Sequence, residues 1–256
     1  MTPKQIKYLK SLHRKKNRYA EGVFLVEGYN LVSEAISTRQ DIIQIFVTDQ
    51  FTQSKHGRSI EKQAMTNEIK IFKAKAKAME RVSQNQSSPG VLAALSMEST
   101  NDINTLSTLK GNVLAFDEVS DPGNLGTLVR SAAWFGVDHI VLSKNCVDIY
   151  NSKVLKSSMG ALFYMKTIII DDLVGAIEKL KSSKRIVLGA DMSGDSVASL
   201  KLGKKSWVLV VGSEAHGISD GVSNEIDKSV GVEGKGFIES LNVASAGSVL
   251  LSQLCK

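Results

Sequence analysis

From residue 112 onward, short apolar runs alternate with amphipathic stretches, and this alternation limits the possible folds more than any other feature of the chain. Val113 to Phe116, His139 to Leu142, Arg185 to Ala190 and Trp207 to Val211 read as buried strands. Helical stretches such as Pro122 to Phe135 and Leu173 to Leu180 lie between them. Strands that are apolar on both faces must be covered on both. Strand–helix alternation achieves this with a parallel sheet. Ligands of such sheets bind at the carboxyl ends of the strands. Residues that directly follow these runs are therefore the candidates for chemistry.

The first ninety-odd residues form a separate α/β pattern. Val23 to Val26, Ile42 to Val47, Ile69 to Phe72 and Gly90 to Leu95 read as strands. Glu27 to Ser37 reads as a helix with Leu31, Val32, Ala35 and Ile36 on one face. Met97 to Leu109 is rich in Ser, Thr and Asn and lacks a strong apolar period, which marks a boundary. The expected organisation is a domain over 1–96, a linker over 97–111 and a second domain over 112–256.

Lys and Arg outnumber Asp and Glu by 32 to 26. A surplus of this size can serve solubility alone. Its clustering points further. Lys4, Lys7, Lys10, Arg14, Lys15, Lys16 and Arg18 crowd the first eighteen residues, and Lys70, Lys73, Lys75, Lys77 and Arg81 form a second group. Such clusters are the usual electrostatic footprint of nucleic-acid binding, with Lys10, Arg14, Lys15 and Lys16 as the leading RNA-contact candidates. Cys146 and Cys255 are far apart and form no CxxC pair, so a zinc ribbon or thioredoxin-like site is excluded, and no usual metal motif is present. The polar, basic N-terminus carries no signal-peptide pattern, and no apolar run is long enough to span a bilayer. The expectation is a cytoplasmic protein without a metal or a membrane partner.

Three stretches follow strands or open helices. In Asp121-Pro-Gly-Asn124, Pro122 suits the first helical turn, with Asn124 near the helix start and Arg130 about two turns inside. Alone, this is compatible with a capping Asn and a surface Arg. Alternatively Arg130 reaches a phosphate, which its planar fork matches. In Trp207 to Ile218, a buried strand runs into Gly212, followed by Glu214 and Gly217. Glycines here permit a positive φ or the close approach of a ligand. In Phe237 to Leu251, Ser240 is placed to cap a helix, and Ala244-Ser-Ala-Gly247 is a run of small residues that lets another backbone come near.

Together, Asn124-Leu-Gly-Thr-Leu-Val-Arg130, Val210-Val-Gly-Ser-Glu-Ala-His-Gly217 and Glu239-Ser-Leu-Asn-Val243 resemble the signature of the SpoU (TrmH-like) RNA ribose 2′-O-methyltransferases of the SPOUT superfamily. Gly22 to Gly28 and Pro89-Gly-Val-Leu-Ala are similar to that family's small, L30e-like substrate-binding domain. The resemblance implies an α/β chain whose C-terminal parallel-sheet domain carries a deep trefoil knot. It also implies S-adenosylmethionine as cofactor, RNA as substrate and a homodimer that completes each RNA site across its interface. Carried over by motif, Gly212, Val232 and Leu241 would contact the cofactor, and Asn124, Arg130, Glu214, Ser240 and Asn242 would form the catalytic set. His216 does not match a fixed histidine and stays outside it. Glu233-Gly234 replaces the family's usual Pro-Met after Val232. The residues support a positioning role for Arg130, whereas a role as base is implied by the resemblance alone. The two-domain layout favours ribosomal over transfer RNA by analogy.

Three rivals are weaker. Methyl transfer to a base nitrogen, as in other SPOUT branches, is disfavoured by Ser240-Leu-Asn242, which resembles the ribose branch. Gly231-Val-Glu-Gly-Lys235 is too short for a P-loop, and Gly236 stands where Ser or Thr is needed. An RNA-binding protein without catalysis would not need Asn124, Arg130, Glu214 and Asn242 together.

Overall fold

The computed structural model describes residues 1–98, 102–203, 205–234, 236–238 and 240–256. Lys235, Glu239 and residues 99–101 of the expected boundary lie outside the described residues. The strands are β1 (Val23–Glu27), β2 (Ile42–Val47), β3 (Ile71–Lys73), β4 (Val91–Ser96), β5 (Val113–Phe116), β6 (His139–Ser143), β7 (Lys166–Ile170), β8 (Ile186–Ser196), β9 (Trp207–Val211) and β10 (Lys228–Gly231). The helices are α1 (Pro3–Ser11), α2 (Lys15–Glu21), α3 (Tyr29–Ser37), α4 (Asp49–Thr52), α5 (Lys55–Thr66), α6 (Ala76–Val82), α7 (Pro122–Trp134), α8 (Ser152–Ser158), α9 (Leu173–Ser182), α10 (Asp220–Ser223) and α11 (Val243–Leu254). None of the described helices is long and apolar enough to cross a membrane. The chain divides into two compact units, Met1–Glu98 with Tyr150–Phe163, and Ser99–Ile149 with Tyr164–Lys256.

The first unit holds a sheet of order β1-β4-β2-β3, in which β4 runs antiparallel to both neighbours and β2 parallel to β3. Central β4 is buried from Val91 to Leu95. Ile6, Leu9 and Leu12 of the α1 region pack with Met79 and Val82 of α6 against Phe46, Leu92 and Ala94. On α3, Leu31, Val32, Ala35 and Ile36 are buried as their spacing predicts. Helix α1 opens with a reciprocal cap between Thr2 and Gln5, with Pro3 at the position where a missing N–H costs nothing. Its other end corrects the reading of Arg18 as surface charge. Arg18 is buried, and its guanidinium donates to the carbonyls of Leu12 and His13, both at 2.9 Å. These acceptors are left over where the helix stops. Lys10, Arg14, Lys15 and Lys16 remain exposed.

Tyr150–Phe163 joins this unit from far along the chain. The Tyr150 ring packs on Phe24 at 4.6 Å between centroids, and the Gln40 amide donates to the Phe163 carbonyl at 3.3 Å. Lys156 donates to Asn85 Oδ1 at 2.5 Å. Asn85 in turn donates to Glu27, whose carboxylate also holds Ser83 and the Gln84 N–H.

The second unit is the expected parallel sheet, with six strands in the order β10-β8-β9-β5-β6-β7. Central β5 and β9 are buried at every residue. Two strands, β7 and β10, go beyond the sequence reading. β10 has only four residues, half of them exposed, so its apolar signal is short. Strand β8 also continues past Ala190. Its pairing with β10 jumps from Ser229 opposite Gly189 to Val230 opposite Asp195, so 190–194 loops out. A side chain on Gly194 would meet Val230 backbone at 2.6 Å, so this excursion closes only through glycine. Arg185 lies outside the strand and donates to the carbonyls of Gly111 and Leu109, at 3.1 and 2.5 Å. Leu106, in a short 3₁₀ helix over Ile103–Thr108, is buried in this unit's core.

Helix α11 lies on α7. A Cβ on Gly247 would fall 2.4 Å from Leu128 Cδ2, and Ser131 and Ser248 share a hydroxyl hydrogen bond of 2.7 Å. The small-residue run therefore serves close helix packing.

Candidate active site

The carboxyl end of β5 leads through Asp117 and Asp121 into α7. Asp121 caps this helix, its Oδ1 accepting from the Asn124 N–H at 2.8 Å, and Pro122 occupies the first turn. The cap is therefore Asp121, and the alternative of a capping Asn124 does not apply. With Asp121 holding the helix end, the Asn124 side chain is free to point elsewhere, and its Nδ2 donates to Glu214 Oε1 at 2.6 Å.

Glu214 rides on a tight turn that begins where β9 ends. Ser213 and Gly217 exchange both backbone hydrogen bonds at 2.9 Å, and Gly217 takes a left-handed φ of 68°. Gly212 owes its lack of a side chain to this turn. A Cβ there would lie 2.2 Å from the Gly217 carbonyl carbon and oxygen. The far side is pinned by Asp117, a buried residue whose Oδ2 accepts from the Ser219 N–H at 2.8 Å. Asp117 was not singled out from sequence, although an Asp directly after a buried parallel strand is a usable signal. His216 is exposed, and its N–H donates to Ser213 Oγ at 3.1 Å.

The third segment corrects the cap of α11. It is Asn242 and not Ser240, with Asn242 Oδ1 accepting from the N–H groups of Ala244 and Ser245 at 2.9 and 3.4 Å. The Asn242 amide nitrogen then donates to Asn124 Oδ1 at 3.1 Å. Three residues from three distant segments thus form one hydrogen-bonded chain at the carboxyl end of the sheet. Arg130 and Ser240 are exposed and stand outside it among the described residues. Six residues along α7, Arg130 is turned about 120° from Asn124. It shares the helix face of Trp134, which is 84% exposed.

Val232 follows the last residue of β10 and is partly buried, while Leu241 precedes the Asn242 cap and is exposed. Among the described residues, none forms a hydrogen bond with the backbone of Gly212, Val232 or Leu241. Gly212 is buried, and buried backbone groups require partners. Leu241 and Ile238 are exposed apolar residues.

Comparison with known proteins places this geometry. Residues 111–252 match the SpoU rRNA Methylase family. The chain belongs to that family. Residues 3–93 of this SpoU family member match the MRM3-like substrate binding domain. The chain is 30% identical over 250 residues to the 23S rRNA (guanosine(2553)-2′-O)-methyltransferase RlmP of Bacillus subtilis, covering 98% of this chain and 95% of that one. Its fold matches a structure assigned to the TrmH family of RNA methyltransferases from Porphyromonas gingivalis, with a TM-score of 0.84 at 28% identity over 99% and 97% of the two chains. It also matches the SpoU methyltransferase AviRb from Streptomyces viridochromogenes, solved with AdoMet, with a TM-score of 0.85 at 22% identity over 98% and 96%.

Proposed function

We propose that this SpoU family member transfers a methyl group from S-adenosylmethionine to a ribose 2′-hydroxyl of ribosomal RNA. The observation that carries the reading is the Asn242–Asn124–Glu214 chain, because it joins the three signature segments at the strand ends where ligands of parallel sheets bind. The name of the Bacillus relative supports ribosomal RNA as the substrate class, and the AviRb structure supports the cofactor.

The backbone of Gly212, Val232 and Leu241 would hold the cofactor; among the described residues no other group hydrogen-bonds to it. When bound, it supplies a methyl on a sulfonium sulfur, the carbon–sulfur electron pair returning to sulfur as the oxygen–carbon bond forms. Glu214, Asn124 and Asn242 form the polar floor of the site. Arg130 and Ser240, both exposed, would engage the RNA, with the Arg130 fork suited to a phosphate. Residues 1–96 would serve as an L30e-like RNA-binding domain, completed by Tyr150–Phe163, and the rest of 112–256 as the catalytic domain, with Leu106 and Leu109 of the connecting stretch 97–111 packed into the catalytic core. Lys10, Arg14, Lys15 and Lys16 supply cationic surface for the RNA backbone.

The C-terminal segment is threaded as a trefoil knot, a reading supported by the contacts of α11 with α7, β10 and the turn Val197–Ser199. The active form is a cytoplasmic homodimer. Exposed Trp134 on α7 and Val249 on α11 provide apolar surface for a second copy, which would bring Arg130 to the interface.

The deciding experiment maps ribose methylation in total RNA with and without the protein. Loss of one 2′-O-methyl mark in ribosomal RNA is expected. Loss of a mark only in transfer RNA, or of none, would overturn the substrate assignment.

A further inference from the structure

We propose that a cavity at one end of the first unit's sheet takes a single unstacked base of the RNA substrate, with His56 as a stacking platform for a neighbouring base. The proposal rests on the methyltransferase reading for the identity of the RNA. It adds a place where bases, rather than phosphates, are read.

Topology assembles the site. β1 and β2 both run antiparallel to β4, and β3 runs parallel to β2. The segments that follow β1, β2 and β3 therefore meet the one that precedes β4 at a single end of the sheet. A cavity of about 330 Å³ lies there, at the lower end of small-ligand sites of about 300–1,000 Å³. It has room for a planar base and none for a duplex. Phe51 and Pro89 supply apolar walls, and Thr48, Gln50 and Ser88 supply polar ones. Thr48 is buried, and its Oγ1 accepts from the Phe51 N–H at 3.2 Å. Ser88 Oγ accepts from the Gly90 N–H at 3.3 Å. Each hydroxyl keeps a proton for which the described residues supply no acceptor. The Gln50 amide is exposed and has no partner among the described residues. It offers a donor and an acceptor side by side, which matches the edge of a base. An unstacked base needs cover for its faces and hydrogen bonds for its edge, and this cavity provides both.

The surroundings suit an RNA strand. His56 lies two residues beyond Ser54 of the cavity wall, and its ring stacks on Tyr29 at 4.0 Å between centroids and 10° between planes. His56 is exposed, so its other face is available to a base. Lys55 adjoins this platform, and Lys75 and Lys77 flank Ala76 of the cavity wall. All three are exposed and form no ion pair among the described residues, which leaves them for phosphates. Asp49 and Glu27, which stand at the same end, are already engaged. Asp49 pairs with Lys73 at 3.1 Å, and Glu27 holds Ser83, Gln84 and Asn85. The Glu27 bonds also order the approach to Ser88 and Pro89 before RNA arrives.

Substitutions that leave every lysine in place separate a base pocket from a cationic face. In the full-length protein, Ala76→Trp fills the cavity from its exposed wall, and His56→Ala removes the platform. Each should raise the Kd for 23S ribosomal RNA, isolated from cells lacking the protein, by about tenfold or more in filter binding. The salt slope of that Kd should not change, because no phosphate contact is lost. The Tm and the S-adenosylhomocysteine Kd should also hold. His56→Phe keeps a stacking face and should recover most of the loss. Lys75→Glu with Lys77→Glu should instead weaken binding and flatten the slope. Ultraviolet crosslinking should join a nucleotide of the 23S RNA to residues 48–56 or 88–90. Affinity within about twofold of wild type in both Ala76→Trp and His56→Ala would overturn the proposal, since a lost base stack costs more than that. So would crosslinks confined to α1 and α2. A loss seen only in the lysine variants would make this end a phosphate-binding surface and would overturn it equally. These readings need no turnover. A protein that binds 23S RNA through this end yet transfers no tritium from labelled S-adenosylmethionine would refute the methyltransferase reading and leave the pocket standing. Normal transfer with indifferent variants would refute the pocket alone.

Discussion

Replacing Gly212 by alanine separates a glycine that the turn needs from one that only a cofactor needs. The added Cβ would sit 2.2 Å from the carbonyl carbon and oxygen of Gly217 and 2.4 Å from the Ile218 nitrogen. All three are backbone atoms, so no rotamer change relieves the clash. Retreat is opposed by the Ser219 N–H bound to buried Asp117 at 2.8 Å. The turn must back away by more than an ångström and give up the paired Ser213–Gly217 bonds. Those two bonds contribute about 1 kcal/mol each, and overpacking adds about 1–3 kcal/mol. For a unit of this size 1 kcal/mol moves the melting point by about 2–4 °C. Differential scanning calorimetry of the cofactor-free protein should therefore show a drop of roughly 6–20 °C. Glu214 should also leave Asn124, with loss of turnover. Gly217→Ala is the control. It meets nothing within 4 Å and strains only a φ of 68°, so it should cost about 1–2 kcal/mol. A Gly212→Ala protein that melts within a degree of wild type without ligand, yet no longer binds S-adenosylhomocysteine, would refute the argument and make Gly212 a ligand contact alone.

Arg130→Ala should abolish methyl transfer while S-adenosylhomocysteine binding survives in calorimetry, and Arg130→Lys should restore little, since the planar fork is lost. Charge reversal at Lys10, Arg14, Lys15 and Lys16 should weaken RNA binding and flatten its dependence on salt; an unchanged slope in filter-binding titrations would mean that these side chains are only a solvated face. Asp227→Asn keeps an acceptor for the Val187 N–H, so it should lower stability by at most about 1 kcal/mol near neutrality, through the lost negative charge toward that N–H and Lys181. Burial pushes the Asp227 carboxyl up, but the Val187 N–H and the Lys181 ammonium, each at 2.9 Å, hold it below the ordinary carboxylate value. A depressed carboxylate stabilises above its unfolded value of about 3.9 and loses that contribution as pH falls through the folded value. The gap between wild type and variant in chemical denaturation should accordingly close below about pH 4.

The second unit's central strands were legible because β5 and β9 are apolar on both faces, and residues after them were marked as candidates by the geometry of parallel sheets. Sequence could not show which polar residue would satisfy which helix end. Asp121 and Asn124 both suit a cap, as do Ser240 and Asn242, and only the tertiary partners decide. The reason for Gly212 was equally hidden, because glycine approached by its own chain and glycine approached by a ligand look alike in sequence. Arg18 was read as surface charge because nothing local reveals that the end of α1 leaves carbonyls open for it. Edge strand β10 escaped because two buried residues do not make a period.

The membership of Tyr150–Phe163 in the first unit bears on how this chain is made. A ribosome delivers Met1–Glu98 first, with the Phe24 ring and the Glu27–Asn85 network still lacking Tyr150 and Lys156. Some sixty residues must be added before those partners emerge, which at about 5–20 residues per second takes on the order of 3–13 s. During that interval β5, α7 and β6 are already outside and can begin to collapse. The order of birth and the order of completion are therefore inverted. The earliest-made unit is finished only by a segment born after two of its neighbour's six strands have already appeared. A nascent chain stalled before Tyr150 should thus be more open to protease in its first hundred residues than one stalled beyond Phe163, although the sequence of those hundred residues is the same.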